Sequence, residues 1–151
     1  PDRFEPGTPN IPGILGLHAA LSCPDLMCSP KNFRHEMELT GYFLQELKSM
    51  DPEEKHIRIL GRTDCPHGLD QATRCAVVSI QTPQIDMAEA AFRLDSDYGI
   101  MTRVGLHCAP SAHKTLGTYP QGTIRFSFGA QNTKEEVRSA LSALMDITGL
   151  S

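Results

Sequence analysis

Apolar residues recur at helical intervals in some stretches of the chain and alternate with polar ones in others. Ile14, Leu15, Leu17, Ala20 and Leu21 predict a short helix from Ile11 to Leu21, with Pro12 tolerated in its first turn. Gly13 and Gly16 lie on that helix at a spacing that permits close approach to a neighbour; they also weaken it. Ahead of it, residues 1–13 hold four prolines and two glycines, the composition of an extended loop with fixed turns. After a connector at 22–29, Ser29 is positioned to cap a long helix that has Pro30 at its first position. Phe33, Met37, Thr40, Gly41, Leu44 and Leu47 repeat with helical period to about Met50 and form a core stripe. Asp51-Pro52 ends it.

Shorter elements follow. His56–Gly61 reads as a strand, 62–73 as a polar loop turned by Pro66 and Gly68, and Arg74–Ile80 as a largely buried strand. Asp86 caps a helix over Met87–Leu94, and Gly99 turns the chain into a strand at Ile100–Val104. A loop leads to a strand over 122–128. Thr133 with Glu136 three residues on predicts a capping box, and Val137, Ala140, Leu141, Leu144 and Ile147 line one side of a final helix. This order predicts an α+β domain, a small, mostly antiparallel sheet with helices packed on one face. The other face is left free to meet another domain.

The totals narrow the range of functions. A length of 151 residues, 40% hydrophobic and 21% charged, suits one soluble domain with a real core. A net charge of −4 without a basic cluster argues against nucleic acid as a partner. No run of eighteen apolar residues predicts a membrane span, and no signal-peptide pattern is read at the start. The cysteines, at 23, 28, 65, 75 and 108, are odd in number and scattered, which reads as reduced thiols of a cytoplasmic protein. Cys65 with His67, or His107 and Cys108 with His113, lack the paired spacing of a zinc site, so no metal is expected. A chain that opens on Pro1 in the middle of a motif reads as the C-terminal piece of a longer protein.

Candidate chemistry gathers in Thr102–Pro110 and in Gly122–Ser127. Cys108 sits in sequence among Arg103, His107, His113 and Lys114, and cations around a thiol favour the thiolate, its reactive form. The alternative is a small buried hydrophobe, as most free cysteines are. Strand parity puts Ile124, Phe126 and Phe128 on one face and Thr123, Arg125 and Ser127 on the other. On the open face, the Arg125 guanidinium between two hydroxyls suits a carboxylate held by paired hydrogen bonds; the alternative is a solvated charge.

The runs TRVGLHCAPSAHKTLGT and GTIRFSFGAQNTKEEV resemble the C-terminal part of cysteine desulfurases of the selenocysteine-lyase-like group. These are pyridoxal-phosphate enzymes of the class V aminotransferase family. Arg3–Asn10 followed by Ile11–Leu17 resembles a second block of that family, in the family's order. The resemblance implies a division into residues 1–21, a cofactor-phosphate loop and linking helix from the large-domain side, and 22–151, a small C-terminal α+β domain.

It also implies roles. Cys108 resembles the nucleophile that takes sulfur from L-cysteine, becoming a persulfide and releasing alanine. Arg125 resembles the arginine that holds the substrate carboxylate. Arg103 matches a position near the active site. His107 belongs on the same substrate side, where it tunes the thiol or shapes the loop. Gly7 and Thr8 resemble a loop that reaches across a homodimer to the cofactor phosphate of the partner subunit, using neutral donors. A protein that accepts the sulfur is a further implied partner.

Lys31, Lys48, Lys55, Lys114 and Lys134 do not stand in the family's cofactor-lysine context. The chain by itself is therefore expected to be inactive and to depend on a large cofactor-binding domain of the same polypeptide. Transamination or epimerisation remains open as an alternative chemistry, and so does a stand-alone binding module of the same fold.

Overall fold

A computed structural model of the chain describes residues 7–23, 29–64 and 74–150. Residues 3–6 of the Arg3–Asn10 resemblance block, most of the 22–29 connector and the Cys65–His67 pair lie outside the described residues. So do Pro66 and Gly68.

Four short strands form one sheet: β1 (Arg58–Leu60), β2 (Val77–Gln81), β3 (Arg103–Gly105) and β4 (Thr123–Ser127). Their order is β1-β2-β4-β3 and every neighbouring pair is antiparallel. β3 therefore runs parallel to β2 with β4 inserted between them, the split arrangement that a strand–helix–strand unit adopts when a later strand fills its gap. The strands are shorter than the apolar runs that predict them. His56–Gly61 yields β1, and Ile100–Val104 yields β3, shifted toward Gly105.

Three helices cover one face. α2 (Pro30–Met50) starts where Ser29 Oγ accepts from the Asn32 N–H at 3.1 Å, with Pro30 at the first position. α3 (Met87–Ser96) is capped by Asp86, which accepts from the amides of Ala88 and Glu89. The capping box of Thr133 and Glu136 opens α5 (Lys134–Thr148). Each cap satisfies donors that the first helical turn leaves without partners.

Beneath them, Ile59, Val78, Ile80, Ile124 and Phe126 of the sheet meet Phe43, Leu44 and Leu47 of α2, Ala90 and Leu94 of α3, and Val137, Leu141 and Leu144 of α5. The Phe43 ring lies 5.1 Å from that of Phe126 and 5.3 Å from that of Phe128. Leu39 and Phe43 widen the buried side of α2 beyond the expected stripe, because helix and sheet both press on it. β2 alternates buried and half-buried residues instead of being buried throughout, since only one face of the sheet is covered.

Between α2 and β1 the buried Asp51 carboxylate accepts hydrogen bonds from three successive amides, Lys55, His56 and Ile57, at 3.1, 2.6 and 2.8 Å. Burial opposes the charge, but the three N–H donors prevail and hold the carboxyl below its ordinary pKa.

Two elements depart from expectation. Pro110–Leu116, expected as loop, is a helix, α4, begun by Pro110 and stopped by Gly117 in the left-handed conformation. Seven residues with no apolar stripe carry no periodic signal. α1 (Ile11–Ser22) forms where expected, capped by Asn10, yet none of its twelve residues is buried. Gly16 has open space around it, so the two glycines make no close helix contact among the described residues.

Candidate functional site

The site begins with two glycines. Register pairs Gly105 at the end of β3 with Thr123 at the start of β4. A Cβ on Gly122 would lie 2.2 Å from the Gly105 carbonyl oxygen, and Gly122 has φ of +81°. Only glycine permits that contact of backbone on backbone. It brings the chain leaving β3 directly over Thr123.

The next four residues form a tight turn, closed by the Ala109 amide donating to the Leu106 carbonyl at 2.8 Å. Its central residues, His107 and Cys108, both have positive φ, +50° and +59°. Such turns ordinarily take Gly, Asn or Asp at these positions. Holding two other side chains there costs on the order of 1 kcal/mol or more each, and it persists only where the surroundings dictate it.

Those surroundings are hydrogen-bonded rings. His107 Nε2 lies 3.0 Å from Thr123 Oγ1. The His113 ring, buried on α4, stands 5.7 Å from that of His107, with its Nδ1 2.7 Å from Thr118 Oγ1. Thr118 and Tyr119 donate their amides back to the His113 carbonyl, and Gly122 donates to the Thr118 carbonyl. The cysteine turn, α4 and the start of β4 thus hold one another. Cys108 itself is exposed at the tip, so it is not the small buried hydrophobe of the alternative reading.

The open face of β4 begins at the same turn. Register sets Arg103 of β3 directly opposite Arg125 of β4, with Ser79 of β2 on the other side. Like charges facing each other across a ladder repel. Neither guanidinium forms an ion pair with a carboxylate among the described residues. Arg125 Nε is buried without a hydrogen-bond partner, and so is His107 Nδ1. Burial first, then the Arg125 guanidinium, then His113 and Arg103, hold the His107 pKa below the ordinary histidine value; hydrogen bonding to Thr123 acts the other way without prevailing. The surface is therefore short of acceptors and rich in positive charge, which suits an oxyanion.

The structure brings His107, Arg103 and Arg125 close enough for their charges to act on one another, and Cys108 follows His107 in the turn. It does not bring Gly7 and Thr8 to them: both are exposed ahead of α1, and Gly7 has no atom within reach of an added Cβ. Thr123, expected on the open face, is almost fully buried because the His107 ring covers it. The sequence offers His113 only as a cation near Cys108 and gives Thr118 no role; a histidine five residues ahead of a threonine carries no general signal of the pair they form. Gly105 and Gly122, one at the end of each strand, are the sign that could have been read.

Residues 1–139 match the model of the Aminotransferase class-V family, and the chain belongs to that family. It is 34% identical over 147 residues to a probable cysteine desulfurase of Pyrococcus abyssi, a match covering 97% of this chain and 33% of that protein. A probable cysteine desulfurase of Staphylococcus epidermidis is 31% identical over 144 residues, 95% of this chain and 32% of its own length. Among solved structures, the apo cysteine desulfurase of Thermococcus onnurineus NA1 superposes with a TM-score of 0.78 at 32% identity, covering 99% of this chain and 34% of that one. The α+β fold, with its antiparallel sheet, is the one expected. The chain spans about a third of the length of these relatives.

Proposed function

We propose that this chain is the sulfur-accepting and substrate-holding part of a cysteine desulfurase, with Cys108 as nucleophile and Arg125 as carboxylate clamp. One observation carries the reading: an exposed thiol sits on a strained turn next to His107, whose ring feels two opposed guanidiniums that have no carboxylate partner among the described residues. A strained turn at a surface thiol is the kind of outlier that accompanies function.

In the reaction, Arg125 orients the amino acid by its carboxylate, with Arg103 adding positive charge on the same face. The Cys108 thiolate forms an S–S bond to the substrate sulfur as the substrate's C–S bond breaks. The electron pair stays with the carbon fragment, which takes up a proton and leaves as alanine; Cys108 is left as a persulfide.

The family works with pyridoxal phosphate, whose chemical contribution is to stabilise negative charge on substrate carbon. Around the cysteine turn the described residues fit the substrate side of such a site, and none of their lysines is placed to hold the cofactor. Lys48 bonds Thr63, Lys55 pairs with Glu53, Lys114 lies over Tyr119 and Lys134 over Tyr42; Lys31 is exposed on α2. The lysine that holds the cofactor is thus proposed to come from a large domain of the same polypeptide.

α1 supports that division. It exposes Ile11, Ile14, Leu15, Leu17 and Leu21, each at least half exposed, an apolar surface that water disfavours. We place residues 1–21 with the large-domain side and 22–151 as the small domain. Gly7 and Thr8 then serve the cofactor phosphate of a partner subunit in a homodimer, and exposed Cys108 hands its sulfur to an acceptor protein. Among the described residues no helix is long and apolar enough to cross a membrane, and the free thiols suit the reducing cytoplasm.

The test uses the complete polypeptide with L-cysteine, reading alanine release and the mass of the Cys108 peptide. Alanine and a sulfur atom added at Cys108 are expected, both lost in Cys108→Ala. Undiminished sulfur transfer in that variant would remove Cys108 from its role.

A further inference from the structure

The open face holds three nitrogen-bearing side chains around one end of β4, and their charges are not independent. Arg125 Nε is buried with no acceptor, Arg103 stands opposite it, and the His107 ring lies over Thr123, two residues from Arg125 on the same face. His107 Nδ1 is the second buried nitrogen there without a partner. A buried donor left unsatisfied costs about 1–3 kcal/mol, a cost that an acceptor at this face would relieve.

We propose that His107 is a proton-linked positioning residue of the anion site: an oxyanion held by Arg103 and Arg125 draws a proton onto His107, and a protonated His107 tightens the anion. The inference rests on reading Arg125 as a carboxylate clamp and adds to it a residue and a pH dependence.

The charged and titratable groups that face His107 come from each element around it: Arg103 on β3, Arg125 on β4, His113 on α4, and Cys108 next along the chain. The first three disfavour the imidazolium, after burial itself. An anion between the guanidiniums cancels much of their field at the ring, so the imidazolium becomes easier to form. Thermodynamic reciprocity then requires that protonation strengthen anion binding by the same factor. His107 does not touch the sulfur in this scheme; it sets how firmly the substrate carboxylate is held, and at which pH.

Sulfate is the probe, because it keeps its double charge across the range in which histidine titrates. Its affinity is measured calorimetrically from pH 8 down to pH 5 in a Cys108→Ser background, which silences the thiol. Binding should strengthen about fivefold or more as the pH falls through the His107 titration. His107→Gln should show no such rise between pH 8 and pH 5. In the protein with His107 intact, the NMR titration of its ring should move to higher pH when sulfate is added, a shift that a purely structural histidine would not give.

If sulfate binds, is lost in Arg125→Gln, and yet neither strengthens toward acid nor moves the His107 titration, the linkage is overturned and the clamp stands. Persistence of the acid strengthening in His107→Gln overturns it equally. If Arg125→Gln binds sulfate as well as its parent, the clamp itself is wrong and the linkage falls with it. Propionate at pH 8, competing with sulfate, checks that the same site takes a carboxylate.

Discussion

The two faces of β4 are made from alternate residues of one five-residue strand and obey opposite rules. Ile124 and Phe126 point into an interior covered by three helices, where a cluster of buried apolar side chains surrounds them and the Phe43 ring packs against Phe126. Thr123 and Arg125 point the other way, to a surface where two guanidiniums face each other and buried nitrogens lack partners. The covered face is consistent at every level, in pattern, packing and satisfied caps. The open face breaks several rules at once: like charges opposed, non-glycine residues in left-handed backbone, unsatisfied donors. Such concentrated violations belong to places where a protein gives up stability for chemistry. The same strand thus anchors the fold on one side and offers a receptor on the other.

Variants can break this contrast, and the largest effect should come from the covered face. Phe43→Ala removes a fully buried ring that contacts both Phe126 and Phe128, and should cost about 4 kcal/mol in urea unfolding. A loss under about 1 kcal/mol would mean the interior is far less rigid than its packing indicates. Gly122→Ala comes next, because the new methyl meets the Gly105 backbone and the residue keeps a positive φ. It should cost about 3 kcal/mol. It should also change the alkylation rate of Cys108 in conditions where the protein remains folded, since the contact seats the cysteine turn. Unchanged alkylation would detach the turn from the glycine pair.

Asp51→Asn tests a third kind of polar group, one buried with its donors satisfied. Its folded-state pKa lies below the ordinary carboxylate value, so its contribution is present above that value and fades as the pH falls through the lowered one. The variant should lose about 2 kcal/mol at neutral pH and match its parent in strong acid. An equal deficit at both ends would show that packing, not charge, is at stake there.

The smallest effect should have the opposite sign. Arg103→Gln removes one of two facing cations and should stabilise the fold by about 0.5 kcal/mol. Destabilisation instead would mean that the guanidinium holds the sheet together and that the open face is less free than the contrast requires.

Much of the covered face is legible from spacing. The α2 and α5 stripes, the caps at Ser29, Asp86 and Thr133, and the parity of β4 are short-range facts, set by residues three or four apart or by strand alternation. The resemblance in the runs around Cys108 and Arg125 likewise named the residues proposed to carry the chemistry. The α4 helix was not legible, being too short to show a period, and neither was the exposure of all of α1, whose apolar residues suit a core as well as an interface.

Alone, the order of residues determined the elements other than α4, the α+β class and the two sides of β4, because those follow from local periods. Only the tertiary structure decided that Arg103 faces Arg125, that His107 covers Thr123, and that Gly122 lets the cysteine turn close over them. These are contacts between segments 16 to 22 residues apart, set by strand register and backbone approach. No local pattern encodes either one.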